Sequence, residues 1–145
     1  LLSVKSPVFL PNPPANQKLI RWAAFSFIAG CLGMIVIADC GKGPQCWGFL
    51  NVIPYSDKIG HLFLIGTLTL LCHSAFPPRH QRRYLWLFTR TSLIILTVIS
   101  LEEAAQAFIP SRTCDLGDWL ADLAGLLAGQ TMALCFFPAA ARFRK

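Results

Sequence analysis

Four apolar stretches, each close to the length that crosses a lipid bilayer, constrain this chain more than any other feature. They run from Trp22 to Ala38, Ile59 to Phe76, Leu85 to Phe108 and Trp119 to Phe137. A helix rises about 1.5 Å per residue, so about 20 apolar residues span a hydrocarbon core about 30 Å thick. No stretch alternates apolar and polar residues with a period of two, which argues against a transmembrane barrel. Charged residues make up 14% of the 145, against about 25% in a typical soluble domain. That is too little polar surface to cover a water-soluble globule. The expected fold is all-α: a polytopic membrane protein built as a four-transmembrane-helix bundle in one domain.

The flanks agree with this division. Residues 1–18, with Pro7, Pro11, Pro13 and Pro14, read as an irregular arm. Residues 19–139 hold the four helices, and 140–145 form a basic tail. Trp22, Tyr84 and Trp86 fall at one set of helix ends, and Trp47, Tyr55 and Trp119 at or near the other. Amphipathic rings prefer the membrane–water interface. The first helix follows Lys18 and Arg21, as a signal peptide would, but no small-x-small cleavage site comes after it. Asp39 before Cys40 also spoils a lipobox, so the helix is expected to be a retained anchor.

Charge supplies the orientation. Lys5, Lys18, Arg21, Arg79, Arg82, Arg83, Arg90, Arg142, Arg144 and Lys145 lie on one side of the spans, and Lys42, Lys58 and Arg112 on the other. The positive-inside rule makes the first side cytoplasmic, with both termini there. All seven acids, Asp39, Asp57, Glu102, Glu103, Asp115, Asp118 and Asp122, fall at the opposite face or just beneath it. The basic residues flank hydrophobic helices and do not form a patch. They therefore suit anionic lipid headgroups of the bilayer, and no nucleic-acid partner is expected. The expected location is a bacterial cytoplasmic (inner) membrane.

Cys31, Cys72 and Cys135 lie within the apolar stretches as small apolar side chains. Cys40 and Cys46 bracket the outer loop from Gly41 to Gln45, where a disulfide could close a short ring in an oxidising compartment. Without a Cys-x-x-Cys pair, a structural zinc site has little sequence support.

Two stretches carry the chemistry. In the first, Asp57 and His61 are four residues apart and share a helical face, with Lys58 between them; Asp57 is placed to cap or charge-stabilise the helix start. In the second, Glu103 and Gln106 end the third helix, Pro110 stops it, and Arg112 sits in the turn. Asp115, Asp118, Asp122, Gly125 and Gly129 then recur in steps of three and four along one face. Asp122 falls about one turn inside the hydrocarbon boundary, and an ionisable group at that depth faces a partner or a water-filled cavity. Gly125 and Gly129 permit close helix packing. Both stretches are on the outer side, so the nine polar residues can gather in one outer-leaflet pocket. A self-neutralising network that orients the helices and a ligand site both fit this pattern. The carboxylates outnumber the bases near them, which favours a bound cation, a cationic ligand group or a protonated acid.

The pattern Asp57-Lys58-x-x-His61, followed by Glu103-x-x-Gln106-x-Phe108-x-Pro110-x-Arg112 and then Asp115, Asp118 and Gly125, resembles the VanZ-like family of small bacterial membrane proteins. The resemblance covers roughly residues 54–130. Where this chain has Asp122 the family usually carries Asn, so an extra acid stands inside the membrane. The family is named for a protein associated with teicoplanin resistance, which implies work at the cell envelope. A lipid-linked or glycan-related ligand is then expected at the pocket. An accessory subunit of a larger membrane protein complex is the first alternative. The second is a metal-assisted enzyme acting on a phosphorylated lipid. The run from Glu103 to Ser111 is locally similar to the Glu and Pro-Ser turn of undecaprenyl-diphosphate phosphatases. No catalytic residue, cofactor or metal is assigned by these patterns.

The charge asymmetry gives a direct test. Single cysteines in a cysteine-free background should be labelled from outside near Asn51, and only after permeabilisation near Gln81. The reverse pattern would overturn the orientation.

Overall fold

The computed structural model describes residues 15–76 and 88–136. Five α-helices appear in these segments: α1 Ala15–Asp39, α2 Gly43–Trp47, α3 Ser56–Ala75, α4 Arg90–Gln106 and α5 Leu116–Phe136. A short 3-10 segment, Gly48–Val52, follows α2. No strand occurs among the described residues, so the protein is all-α.

Among the described residues, three helices are long and apolar enough to cross a membrane: Asn16–Asp39, Ser56–Ala75 and Leu116–Phe136. The remaining long helix, α4, has 17 residues and begins at Arg90 with the extended Thr89 as its N-cap, so the expected start at Leu85 is corrected. Residues 85–87, expected to begin it, lie outside the described segments, as do Lys5, Arg79, Arg82, Arg83, Tyr84, Trp86, Arg142, Arg144 and Lys145.

Boundaries also differ from expectation around the first helix and the loop that follows it. Helix α1 already covers Ala15, the first described residue, within the segment expected to be irregular. It stops where Gly41 adopts φ +72°. The Gly41 and Lys42 amides then donate to the carbonyls of Ala38 and Ile37 at 2.8 and 3.0 Å, a Schellman closure. The loop after α1, expected only as a connection, folds into α2 and the 3-10 segment, with Pro44 in the first turn of α2, where its missing N–H costs nothing. Cys40 and Cys46, whose spacing allowed a disulfide, are both free and exposed in this structure. One thiol follows the end of α1 while the other is carried on α2.

Packing follows an inside-out distribution. Buried polar side chains include Gln17, Thr69, His73, Ser92, Glu103, Gln106, Asp118, Asp122 and Gln130, whereas the buried apolar set is smaller and includes Cys72, Ile95, Ile99 and Leu126. Large apolar side chains such as Leu19, Trp22, Phe25, Phe63, Ile94 and Leu101 are exposed. In water this would expose a contiguous apolar surface far beyond that of a soluble monomer. In lipid it is the expected arrangement, with polar groups turned toward one another.

The most extensive contact is between α3 and α5. Its basis is steric. Gly125 and Gly129 of α5 lie against the α3 backbone, where an added Cβ would collide with the carbonyl oxygens of Leu62 and Gly66, respectively. Gly66 faces Gly125 from the other side, its virtual Cβ 3.3 Å from the Gly125 carbonyl oxygen. Such approach maximises dispersion contacts, which drive helix association where the solvent is itself apolar. Helix α4 packs on α5 and α3, while α1 touches α3 and remains largely uncovered.

Substitution at the crossing should be costly. Gly129→Ala is expected to lower stability by about 1–3 kcal/mol, the usual cost of overpacking, despite alanine's better helix propensity. Gly33→Ala on α1, with open space around it, should be neutral or stabilising. Unfolding titrations in mixed detergent micelles would check both, and equal stability of the two variants would refute the close crossing.

Candidate functional site

Alternating helix directions bring the C-terminal ends of α1 and α4 to the same end as the N-terminal ends of α3 and α5. Ser111, after α4, donates to the Asp39 carbonyl at the end of α1 at 2.9 Å. The acids expected on one face therefore do meet at one end of the molecule.

Lys58, in the first turn of α3, reaches across to α5. Its Nζ donates to Asp115 Oδ2 at 2.6 Å and to Asp118 Oδ1 at 2.8 Å. The absence of a side chain at Gly117 gives it passage, since a Cβ there would stand 2.8 Å from Lys58 Nζ. Asp115 also caps α5: its Oδ1 accepts from the Gly117 amide at 2.7 Å, and its carbonyl accepts from the Asp118 amide at 3.0 Å. Capping at this position was absent from the sequence expectation, which placed Asp115 only in the pocket. The hydrogen bond from Lys58, followed by that from Gly117, holds the Asp115 carboxyl below the usual carboxylate range.

One turn further in, His61 Nδ1 lies 3.0 Å from Asp122 Oδ1. With Asp122 as a carboxylate, which only accepts, this ring nitrogen is the donor. The Asp122 side chain is 4% exposed and that of His61 25%. Asp122 is thus held in the interior by a specific partner on the facing helix. On the other side of the ring, Nε2 stands 4.0 Å from Asp57 Oδ1. Asp57 itself is exposed and makes no side-chain cap; the α3 N-cap is Tyr55, at φ 58°. The capping role expected of Asp57 is corrected accordingly. It remains an acid in the first turn, favourably placed against the helix dipole.

A second group forms around Arg112. Its Nη2 donates to Glu102 Oε1 at 3.2 Å, and Nη1 lies 3.8 Å from Asp39 Oδ1. Gln106 Nε2 donates to Glu102 Oε2 at 2.7 Å. Glu103, buried on the same helix, joins the two groups by accepting from the Asp115 amide at 2.6 Å. Arg112, expected beside the pocket residues, stands in this second group. Arg112 is committed to Glu102 and Asp39, and Lys58 is the base in contact with Asp115 and Asp118. Glu102 was not singled out from the sequence, although its i,i+4 spacing to Gln106 was a usable signal.

The opposite end holds a polar network that sequence reasoning missed. His73 Nδ1 bonds the Thr69 carbonyl at 2.9 Å, and Nε2 lies 2.6 Å from Thr89 Oγ1. Ser92 Oγ donates to Gln130 Oε1 at 2.5 Å, while the Ser92 amide is capped by Thr89 Oγ1 at 3.2 Å. Gln17 of α1 donates to the last carbonyls of α3, at Ser74 and Ala75, at 3.0 and 2.8 Å. These contacts satisfy helix ends and fix the helices to one another. Isolated polar residues in otherwise apolar helices were the available signal.

The His61–Asp122 pair can be tested by a double-mutant cycle. His61→Leu should cost about 3–5 kcal/mol, because it strands a buried acid. His61→Leu/Asp122→Leu should recover most of that loss in the same unfolding measurement, and strictly additive costs would refute the pairing. Comparison with known proteins adds no relative to this geometry: no family model matches the chain, and neither a curated protein nor a solved structure matches it.

Proposed function

We propose that this chain is a VanZ-like, four-pass protein of the bacterial cytoplasmic membrane, with both termini in the cytoplasm. On this reading α4 is the fourth span, and the acid-rich end opens to the outer leaflet. There it binds the polar headgroup of a lipid-linked or glycan-related cell-envelope ligand.

The observation that carries this reading is the charge imbalance on the α3–α5 face. Asp57, Asp115, Asp118 and Asp122 stand around Lys58 and His61. Arg112 is occupied elsewhere by Glu102 and Asp39. A pure scaffold would pair its buried acids and stop there. Here an exposed acid, Asp57, is added beside a half-buried imidazole. Carboxylates at a membrane boundary accept hydrogen bonds from sugar hydroxyls or ammonium groups, while the lipid tail lies along the exposed apolar flanks of the helices. The residues of the Asp57–Gly125 pattern supply the family resemblance, and the cell-envelope assignment follows from that resemblance.

Binding of a polyprenyl-linked disaccharide-peptide should be measured in detergent for the wild type, Asp118→Asn and Asp122→Asn, together with thermal stability. Asp118→Asn should weaken binding at least about tenfold, near 1.4 kcal/mol, with the fold retained. Asp122→Asn restores the amide usual in the family and should lose less. Unchanged binding in both folded variants would defeat the ligand-site reading and leave the acidic face as scaffold.

A further inference from the structure

We infer that Asp57, His61 and Asp118 form a site for a divalent transition cation, with Asp122 as the residue that positions the His61 ring. This deepens the ligand-site reading by placing a cation in the same cluster, and it is tested without any lipid ligand.

The argument begins with the imidazole. With Nδ1–H donating to Asp122 Oδ1 at 3.0 Å, neutral His61 keeps its Nε2 lone pair available. That nitrogen has no hydrogen-bond partner among the described residues, and Asp57 Oδ1 lies 4.0 Å away. One possible ligand atom from each of Asp57, His61 and Asp118 lies within 4.8 Å of the others. Two ligands on a tetrahedral zinc ion, with bonds near 2.0–2.1 Å, stand about 3.3 Å apart. Rotation of the exposed Asp57 side chain and a small shift of the ring are enough to close the difference. Two oxygens and one imidazole nitrogen are a ligand set suited to zinc, and three protein ligands leave a coordination position open.

The surroundings support the inference independently. A ligating histidine almost always donates its other N–H to a carboxylate or carbonyl, and Asp122 is such a partner, 3% exposed on the neighbouring helix. Lys58 holds Asp118 by Oδ1, so Oδ2 makes no hydrogen bond among the described residues. The lysine therefore fixes Asp118 without consuming both of its oxygens. Four carboxylates around a single Lys58 ammonium leave a negative field that a divalent ion would offset. Depth matters as well: Asp57 is exposed while Asp118 is buried, so the site opens toward the end of the bundle and is walled on its inner side.

The test uses the full-length protein in detergent, stripped with chelator and titrated with zinc alone and with cobalt(II) alone. One equivalent of zinc should bind. Cobalt should give ligand-field bands without thiolate charge-transfer bands, which separates this site from the free cysteines. Asp57→Asn removes an exposed ligand whose ion-pair contact is to His61 Nε2, at 4.0 Å, and should weaken zinc binding about tenfold or more. Asp122→Asn should weaken it about 10–100-fold, as expected for loss of an orienting partner. Glu102→Gln, in the Arg112 group, should have no effect on zinc binding. Absent stoichiometric binding, thiolate bands, or equal affinity in Asp57→Asn and wild type would overturn the site. Lipid-ligand binding that survives such a result would leave the ligand reading intact, whereas zinc binding without lipid binding would reject that reading alone.

Discussion

The close crossing of α3 and α5 is the constraint on which the rest of the arrangement depends. With Gly66 on one helix and Gly125 and Gly129 on the other, the two backbones approach until an added Cβ would strike a carbonyl oxygen. Where the surrounding solvent is lipid, apolar burial contributes little to helix association, and close contact of this kind contributes much. The same approach decides which polar groups can meet. Only with the helices this near can the short side chain of Asp122 reach the His61 ring, and Lys58 span the gap to Asp115 and Asp118.

Above the crossing lie the acids, and below it the His73–Thr89–Ser92–Gln130 network. Both ends answer the same physical demand, since buried polar groups must be paired. They answer it differently. The lower network consists of neutral groups that close helix ends against one another. The upper cluster contains fixed charges in unequal number, with its bases divided: Lys58 serves α5 and Arg112 ties α4 to α1 through Glu102 and Asp39. That division is why the α3–α5 face remains acidic and is the better candidate for binding.

Much of this was legible in the chain. The long apolar stretches gave the helices, because backbone groups in an apolar solvent must be satisfied within the segment. Steps of three and four put Asp118, Asp122, Gly125 and Gly129 on one face of α5, and all four are buried there. Pairings were less legible. Arg112 stands near several acids in sequence, and spacing alone could not choose Glu102 and Asp39 over Asp118. The roles of Asp57 and Asp115 were also exchanged: Asp115 caps its helix, while Asp57 sits exposed in the first turn of α3. Local sequence offers each acid a helix start, and only the backbone path through Tyr55 and past Cys114 selects which side chain turns back to an amide.

By itself, then, the sequence determined that the chain is helical, that its acids gather at one end and its glycines on one face, and that lipid suits its surface better than water. These follow from periodicity and composition, which act along a single segment. The tertiary structure decided which charges are partners, that Cys40 and Cys46 remain free, and that the His61 ring is held from behind by Asp122 with Nε2 4.0 Å from Asp57. Those outcomes depend on distances between helices. A change of an ångström or two in helix spacing makes or breaks a hydrogen bond, and no pattern within one helix encodes that spacing.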